Sequence, residues 1–295
     1  MTSQEILSKA RSEAYALGAF NAGNLEIAQA VAAAAQAQRS PVIIETSAGE
    51  AAHFGMENFL AVIENLRQKT NLPFLTNFDH GPGLEECQKA IKAGYNLVHF
   101  DGSKLPYEEN VKVTKVLVKE AHSRGVLIEA EIDRILGESA YHHQAAESDQ
   151  ASANYTEPEK AAEFVQRTGC DLLAIFIGNL HGTYREPPKL DLERMKLISQ
   201  EMSRQSGGGF CLFTLHGGSG LLAEDIRAAV KLGVVKVNVN TELRLAYRET
   251  LMNVLRGSEE LAVYKIMPPV MAAVQKVVEE KIQLFGSSQK ALLNV

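Results

Sequence analysis

The feature that most constrains this chain is a recurring unit: an amphipathic helix, a glycine near its end, then a short strand of β-branched and apolar residues. LEECQKAIKAGYNLVHFDG and AEDIRAAVKLGVVKVNVNT show it most clearly, with Gly94 and Gly233 where a helix needs a left-handed cap before the chain turns into a strand. EAHSRGVLIEAEI and AAEFVQRTGCDLLAIFIG repeat it with Gly125 and Gly169. Strands that alternate with helices pair in parallel, and near-continuous apolar runs suit strands covered on both faces. The pattern predicts eight strands, near residues 18–22, 41–46, 73–80, 97–102, 127–133, 172–178, 210–217 and 234–240. Eight such units in 295 residues predict an α/β fold of the TIM (β/α)8 barrel type, one domain over 1–295, with the active site at the C-terminal strand ends. A doubly wound open sheet would need an early GxGxxG or P-loop to compete, and the sequence has neither.

Two segments break the rhythm. GESAYHHQAAESDQASANYTEPEK is polar and lacks helix or strand periodicity, which predicts a mobile loop near residues 134–157. YKIMPPVMAAVQKVVEEKIQLFGS predicts a further helix near 264–285, after the Pro pair, with an apolar stripe for packing on the barrel or a second subunit.

A net charge of −6 argues against nucleic acid or an anionic membrane as partner and leaves small anions open, since local groups bind those. Cys87, Cys170 and Cys211 are widely spaced and without CxxC, so neither a disulfide framework nor a thiolate metal cluster is indicated, and a reducing cytoplasm is the expected compartment. The first twenty residues form a charged amphipathic pattern without an apolar signal core, and no run of 18 apolar residues occurs.

His80, His181 and His216 each fall near the end of a predicted strand, in FLTNFDHG, LLAIFIGNLHG and FCLFTLHGGSG. Three imidazoles delivered in this way can converge on one metal ion, and three protein ligands with an open position make a catalytic rather than a structural site. Polar residues inside strands add to the signal. LIEAEID turns Glu129, Glu131 and Asp133 to one face; His99 and Asp101 share a face, as do Lys236, Asn238 and Asn240. Carboxylates facing a barrel interior are costly unless paired or metal-bound. An ion-pair network around Lys236 would account for the deeper ones, whereas Asp101, Glu131 and Asn240 lie toward the strand ends that carry the histidines. Asp79, beside His80, is placed to take or return a substrate proton. HGGSG and NTELR supply backbone N–H groups, a hydroxyl and an Arg at the loops after strands seven and eight, the usual phosphate position of a TIM barrel. Gly217 and Gly218 there permit close backbone approach.

DHG, DGS, EAE, IGNLHG, LHGGSG and KVNVNTELR occur in this order between GAFNAGNLE and the terminal helix. In this the chain resembles the class II, metal-dependent fructose-bisphosphate aldolases. The resemblance implies Zn2+ on His80, His181 and His216, with Glu131 as a nearby or alternative ligand and Asp101 close by. It implies Asp79 as the acid/base residue and Gly182, Gly217, Gly218, Ser219, Asn238, Asn240 and Thr241 as phosphate- and substrate-binding positions, with a monovalent cation (Na+ or K+) often present near the glycines. Asn21 and Ser47 would line the pocket, and Arg244 would reach a distal phosphate. The implied partners are a small sugar phosphate and further copies of the chain, as a homodimer or homotetramer.

The loop after strand five departs from the family, whose ELGxxGGxED is here EIDRILGESAYHH. Alignment from Glu131 puts Ser139 at the catalytic position and Glu138 one residue earlier, so Glu138 is the candidate general acid, with Glu147, His142 and His143 as alternatives. Asn240 leans the substrate toward fructose 1,6-bisphosphate, with tagatose bisphosphate as the alternative. Two rivals remain: a Schiff-base aldolase using Lys236, and a zinc- and sugar-phosphate-binding barrel without turnover.

Overall fold

In chain order the strands are β1 (Leu17–Asn21), β2 (Val42–Ser47), β3 (Phe74–Gly81), β4 (Leu97–Asp101), β5 (Leu127–Glu131), β6 (Gly137–His142), β7 (Leu172–Ala174), β8 (His181–Tyr184), β9 (Leu212–Leu215) and β10 (Val234–Val239). This computed structural model describes residues 1–142, 154–205 and 211–291, apart from the side chains of Glu138, Ser139 and Gln205. Among these residues, β1, β2, β3, β4, β5, β7, β9 and β10 pair in parallel in that order, and β10 closes back on β1. The result is a TIM barrel, as the repeating unit predicts. Gly94 and Gly233 end the helices before β4 and β10 at φ 102° and 119°, values that favour glycine.

The helices are α1 (Ser3–Ser12), α2 (Leu25–Gln38), α3 (Ala48–Phe54), α4 (Met56–Thr70), α5 (Leu84–Ala93), α6 (Tyr107–His122), α7 (Pro158–Thr168), α8 (Leu192–Gln205), α9 (Ala223–Leu232), α10 (Thr241–Arg256) and α11 (Val263–Leu284). Their buried faces and the outward strand residues form the larger core.

Inside the barrel the layers change character with height. The lowest layer takes an apolar residue from each strand, including Leu17, Ile43, Leu75, Leu97, Leu127, Leu172, Leu212 and Val235, and Ile6, Leu7 and Ala10 of α1 close it from below. Each such side chain contributes about 1.5–3 kcal/mol on burial. Two residues further along several strands the interior becomes polar: Glu45, Asn77, His99, Glu129 and Thr214 are all buried. A register irregularity between Val234 and Lys236 lets Val235 join the lower layer while Lys236 enters the polar one. The upper layer, at the strand ends, is thus the place for chemistry.

The structure corrects four expectations. The segment predicted to lack strand character contains β6, which pairs in parallel with β8 in a separate two-stranded sheet; residues 143–153, with His143 and Glu147, lie outside the described residues. The sixth barrel strand is shorter than 172–178, because beyond Ala174 the backbone finds other partners. The Phe176 N–H donates to Thr156 Oγ1 and the Ile177 N–H to Asn179 Oδ1, both at 2.9 Å. The terminal helix begins before the Pro pair and runs through Pro268 and Pro269, which are exposed and lie within its first two turns. Asp133 leaves the barrel face of Glu129 and Glu131 and pairs with Lys160 of α7 at 2.6 Å.

Candidate active site

Four imidazoles meet at the top of the barrel. His80 ends β3 with φ +48°, a turn that swings its ring over the strand mouth. Its ring centre lies 4.6 Å from that of His99 on β4, 5.0 Å from His181 at the start of β8 and 4.7 Å from His216 after β9. His80 Nδ1 is 3.5 Å from Asp101 Oδ2 and 4.0 Å from Glu131 Oε2. Potential ligand atoms of Asp79, His80, His99 and His216 lie within 4.8 Å of one another, and so do those of His80, Asp101 and Glu131. His181 belongs to neither tight group, though its ring packs edge-on against His80.

Each ring is oriented by a partner that leaves one nitrogen over. His216 Nε2 meets Glu129 Oε1 at 2.7 Å, so its Nδ1 carries the lone pair. Beside the His181 ring the Ile135 carbonyl favours a ring proton, and Nε2 is left without a partner. His99 Nδ1 accepts the His80 backbone N–H at 3.1 Å, so its proton sits on Nε2, facing Glu131. Among the described residues His181 Nε2, His216 Nδ1 and Glu131 Oε2 are buried and have no hydrogen-bond partner. His99 Nε2 is likewise unpartnered, and the histidine and carboxylate atoms gathered around His80 form a group that a divalent cation can occupy. Burial holds the His181 and His216 rings neutral, with pKa values lowered to about 4 and about 3, as metal ligands require. For His80 burial acts in the same direction, but Asp79 and Asp101 outweigh it and raise its pKa.

Asp79 is buried beside this centre. Asn238 Nδ2 donates to its Oδ1 at 3.0 Å and Asn21 Nδ2 to its Oδ2 at 3.3 Å. Burial alone would raise its pKa, yet His80 and Lys236 hold it well below the usual carboxylate range. Below it Lys236 Nζ lies 2.8 Å from Glu129 Oε2 and 3.5 Å from Glu45 Oε2, the ion-pair network that the strand parity suggested. Burial and Asp79 push Glu45 up to about 8. Lys236 is fully buried and its pKa is raised, because Glu129 and Glu45 outweigh its desolvation; a cationic amine cannot attack a carbonyl, which disfavours the Schiff-base rival.

A cavity of about 140 Å³ opens beside the imidazoles. Asp79, His80, His181 and His216 line it together with Asn21, Ser47, Gly182, Gly217, Ser219, Asn238, Asn240, Thr241 and Arg244. Of the expected substrate-binding residues only Gly218 does not. Its N–H donates to the Asn238 carbonyl at 2.9 Å, and a Cβ there would meet Val237 and that carbonyl, so its smallness serves packing. Gly217, at φ +67°, abuts the Leu180 carbonyl and brings the His181 and His216 loops together. A second lobe, lined by His80, Asp101, Glu131, Lys104, Arg134 and Ile135, adjoins on the other side. The His181 N–H donates to the Leu136 carbonyl at 2.8 Å, which holds the start of β6 at the rim. The expected acid Glu138 is on that strand, but its side chain lies outside the described residues.

Sequence reasoning placed His99 on an inward face without giving it a role, and missed Glu45, Asn77, Asn179 and Glu50. His99, Glu45 and Asn77 had a usable signal, polar residues on inward strand positions. Asn179 had none: it is buried and ties its loop to the His216 carbonyl at 3.1 Å.

The family model described as fructose-bisphosphate aldolase class-II matches residues 1–290. The chain belongs to this family. It is therefore an enzyme of the carbon–carbon lyase type. It is 36% identical over 296 residues to the fructose-bisphosphate aldolase of Staphylococcus aureus (strain Mu50), with 98% of each chain covered. With that of Geobacillus stearothermophilus the identity is 37% over 301 residues, covering 98% of this chain and 97% of the other. Among solved structures the YdjI aldolase from Escherichia coli K12 is 34% identical with a TM-score of 0.82, covering 98% of both chains. No helix among the described residues is long and apolar enough to cross a membrane.

Proposed function

We propose that this aldolase is metal-dependent and reversibly cleaves a ketose bearing a phosphate on C1 to dihydroxyacetone phosphate and an aldehyde. The observation that carries the reading is the set of orphaned lone pairs on His181, His216 and Glu131 beside the ionised, doubly hydrogen-bonded Asp79. His80, His181 and His216 hold the ion, with Glu131 and Asp101 in reach as alternative ligands. Zinc suits this imidazole set, and when bound it acts as a Lewis acid toward the ketose carbonyl.

The chain's own residues do the rest. Asn21 and Asn238 aim the Asp79 carboxylate, which takes the proton of the C4 hydroxyl as the C3–C4 bond breaks. Ser219, Thr241 and the N-terminus of α10 hold the phosphate, with Gly182 and Gly217 lining the cavity beside them. Glu138 is the candidate to return a proton to the three-carbon fragment. The names of the relatives make fructose 1,6-bisphosphate the first substrate to assay, with tagatose bisphosphate beside it. The protein is proposed to act in the cytoplasm, where its free thiols stay reduced. Exposed Leu255, Leu261, Val263 and Tyr264 support association of two or four copies.

Asp79→Asn tests the assignment. It keeps the shape and both Asn neighbours but removes the base, so cleavage falls by about 10²–10⁴ while bound metal is retained. Unchanged cleavage would remove Asp79 from the mechanism.

A further inference from the structure

Glu50, in the first turn of α3, gathers the donors of three residues that line the cavity. Its Oε2 accepts from Asn21 Nδ2 at 3.0 Å, from the Ser47 N–H at 2.9 Å and from the Ser47 hydroxyl at 3.0 Å. Its Oε1 pairs with the Arg244 guanidinium at 2.8 Å. Glu50 does not line the cavity itself; Asn21, Ser47 and Arg244 do. These are the groups that a second anion, at the far end of the substrate from Ser219 and Thr241, would have to recruit.

The carboxylate is not free to step aside. The Glu50 N–H donates to Ser47 Oγ while Glu50 returns a bond to the Ser47 N–H, which closes the capping box of α3. Moving the side chain uncaps the helix and breaks the pair with Arg244, whose guanidinium is half exposed. A phosphate arriving here therefore meets a cation already neutralised and a fixed like charge, the arrangement that rejects a ligand rather than selects it. At the other end Ser219 and Thr241 line the cavity at the N-terminus of α10, and the carboxylate of that first turn, Glu242, is paired with Lys281 and does not reach the cavity. At one end the nearby carboxylate is neutralised by a lysine outside the cavity, and at the other the cavity's own Arg244 is neutralised by Glu50.

We propose that Glu50 is a specificity-determining residue that makes the pocket take a ketose with a single phosphate, on C1, so that the aldehyde partner carries an uncharged, hydroxyl-bearing end. This rests on the aldolase reading above and narrows its substrate class. In the condensing direction the hydroxymethyl carbon of dihydroxyacetone phosphate loses a proton and bonds to the aldehyde carbon, whose oxygen gains a proton. Nothing is oxidised or reduced.

The test uses the full-length, metal-loaded protein with dihydroxyacetone phosphate and two acceptors, glyceraldehyde and glyceraldehyde 3-phosphate. The native protein is expected to show the higher kcat/KM with glyceraldehyde. Glu50→Gln keeps a residue that can close the cap but releases the Arg244 charge, and should move the ratio toward the phosphorylated acceptor by roughly 10–100-fold, mainly through its KM. Glu50→Ala should move it the same way. A native preference for glyceraldehyde 3-phosphate, no condensation with glyceraldehyde, or a ratio that neither variant shifts overturns the proposal, and the native ratio serves even if both variants misfold. Calorimetric binding of dihydroxyacetone phosphate separates the two levels. A metal-loaded protein that does not bind it sinks the aldolase reading itself, whereas binding with the wrong acceptor preference sinks only the role of Glu50.

Discussion

His216 Nε2 and Glu129 Oε1 are 2.7 Å apart, both fully buried, and this one contact fixes which nitrogen of His216 faces the cavity. With Nε2–H donated to the carboxylate, the lone pair on the buried Nδ1 is left without a partner. Outer carboxylates of this kind orient a metal ligand and raise its basicity. Glu129→Gln should therefore weaken metal affinity by about 10–100-fold, because an amide can present either its oxygen or its nitrogen to the ring. Competition with a chromophoric chelator measures this, and an affinity within twofold of native would show that His216 is not held through Glu129.

The same Glu129 carries the charge of Lys236 on its other oxygen, 2.8 Å from Nζ. Replacing Lys236 with Met leaves Glu129 buried without its cation, so the barrel should lose about 3–5 kcal/mol. Denaturant unfolding of the metal-free protein reads this directly. A loss below about 1 kcal/mol would mean that the polar layer relaxes around the missing charge.

Metal affinity should depend on pH through His80. Its pKa is raised: burial opposes the proton, but Asp79 and Asp101 outweigh it. The His181 and His216 rings, at about 4 and about 3, are already neutral at neutral pH. Binding therefore expels the His80 proton, and raising the pH favours it. Apparent affinity should climb by about tenfold per pH unit until His80 has lost its proton, then level off. Titrations at successive pH values check the slope, and a flat profile from mildly acidic to alkaline pH would assign His80 another role.

What the sequence disclosed, and what it hid, follows from how local each signal was. The glycine caps at Gly94 and Gly233 and the apolar runs after them are local, so the barrel was legible from them. His80, His181 and His216 were legible because each sits at a strand end, and barrel closure carries strand ends to one rim. The early end of β7 was not: Ile175, Phe176 and Ile177 continue the apolar run and stay buried, and the change is in their partners, one of them Thr156 some twenty residues away. β6 was hidden similarly, since its polar residues gain a strand only by meeting β8. Gly218 looked like a phosphate-loop glycine, but its N–H serves β10. Glu50 is the sharpest case. S-x-x-E reads as a helix cap, and so it is, but its second task depends on Arg244, 194 residues further on.

Metal removal tests the central claim, that the His80, His181 and His216 cluster is a catalytic metal centre. The measurement is formation of dihydroxyacetone phosphate from a ketose phosphate by the full-length protein, with metal content determined alongside, before chelation, after exhaustive EDTA and after restoring zinc or cobalt. The account predicts one divalent ion per chain, cleavage that disappears with it, and recovery when either metal is returned. Cleavage that continues at the native rate after complete removal of the metal would contradict it.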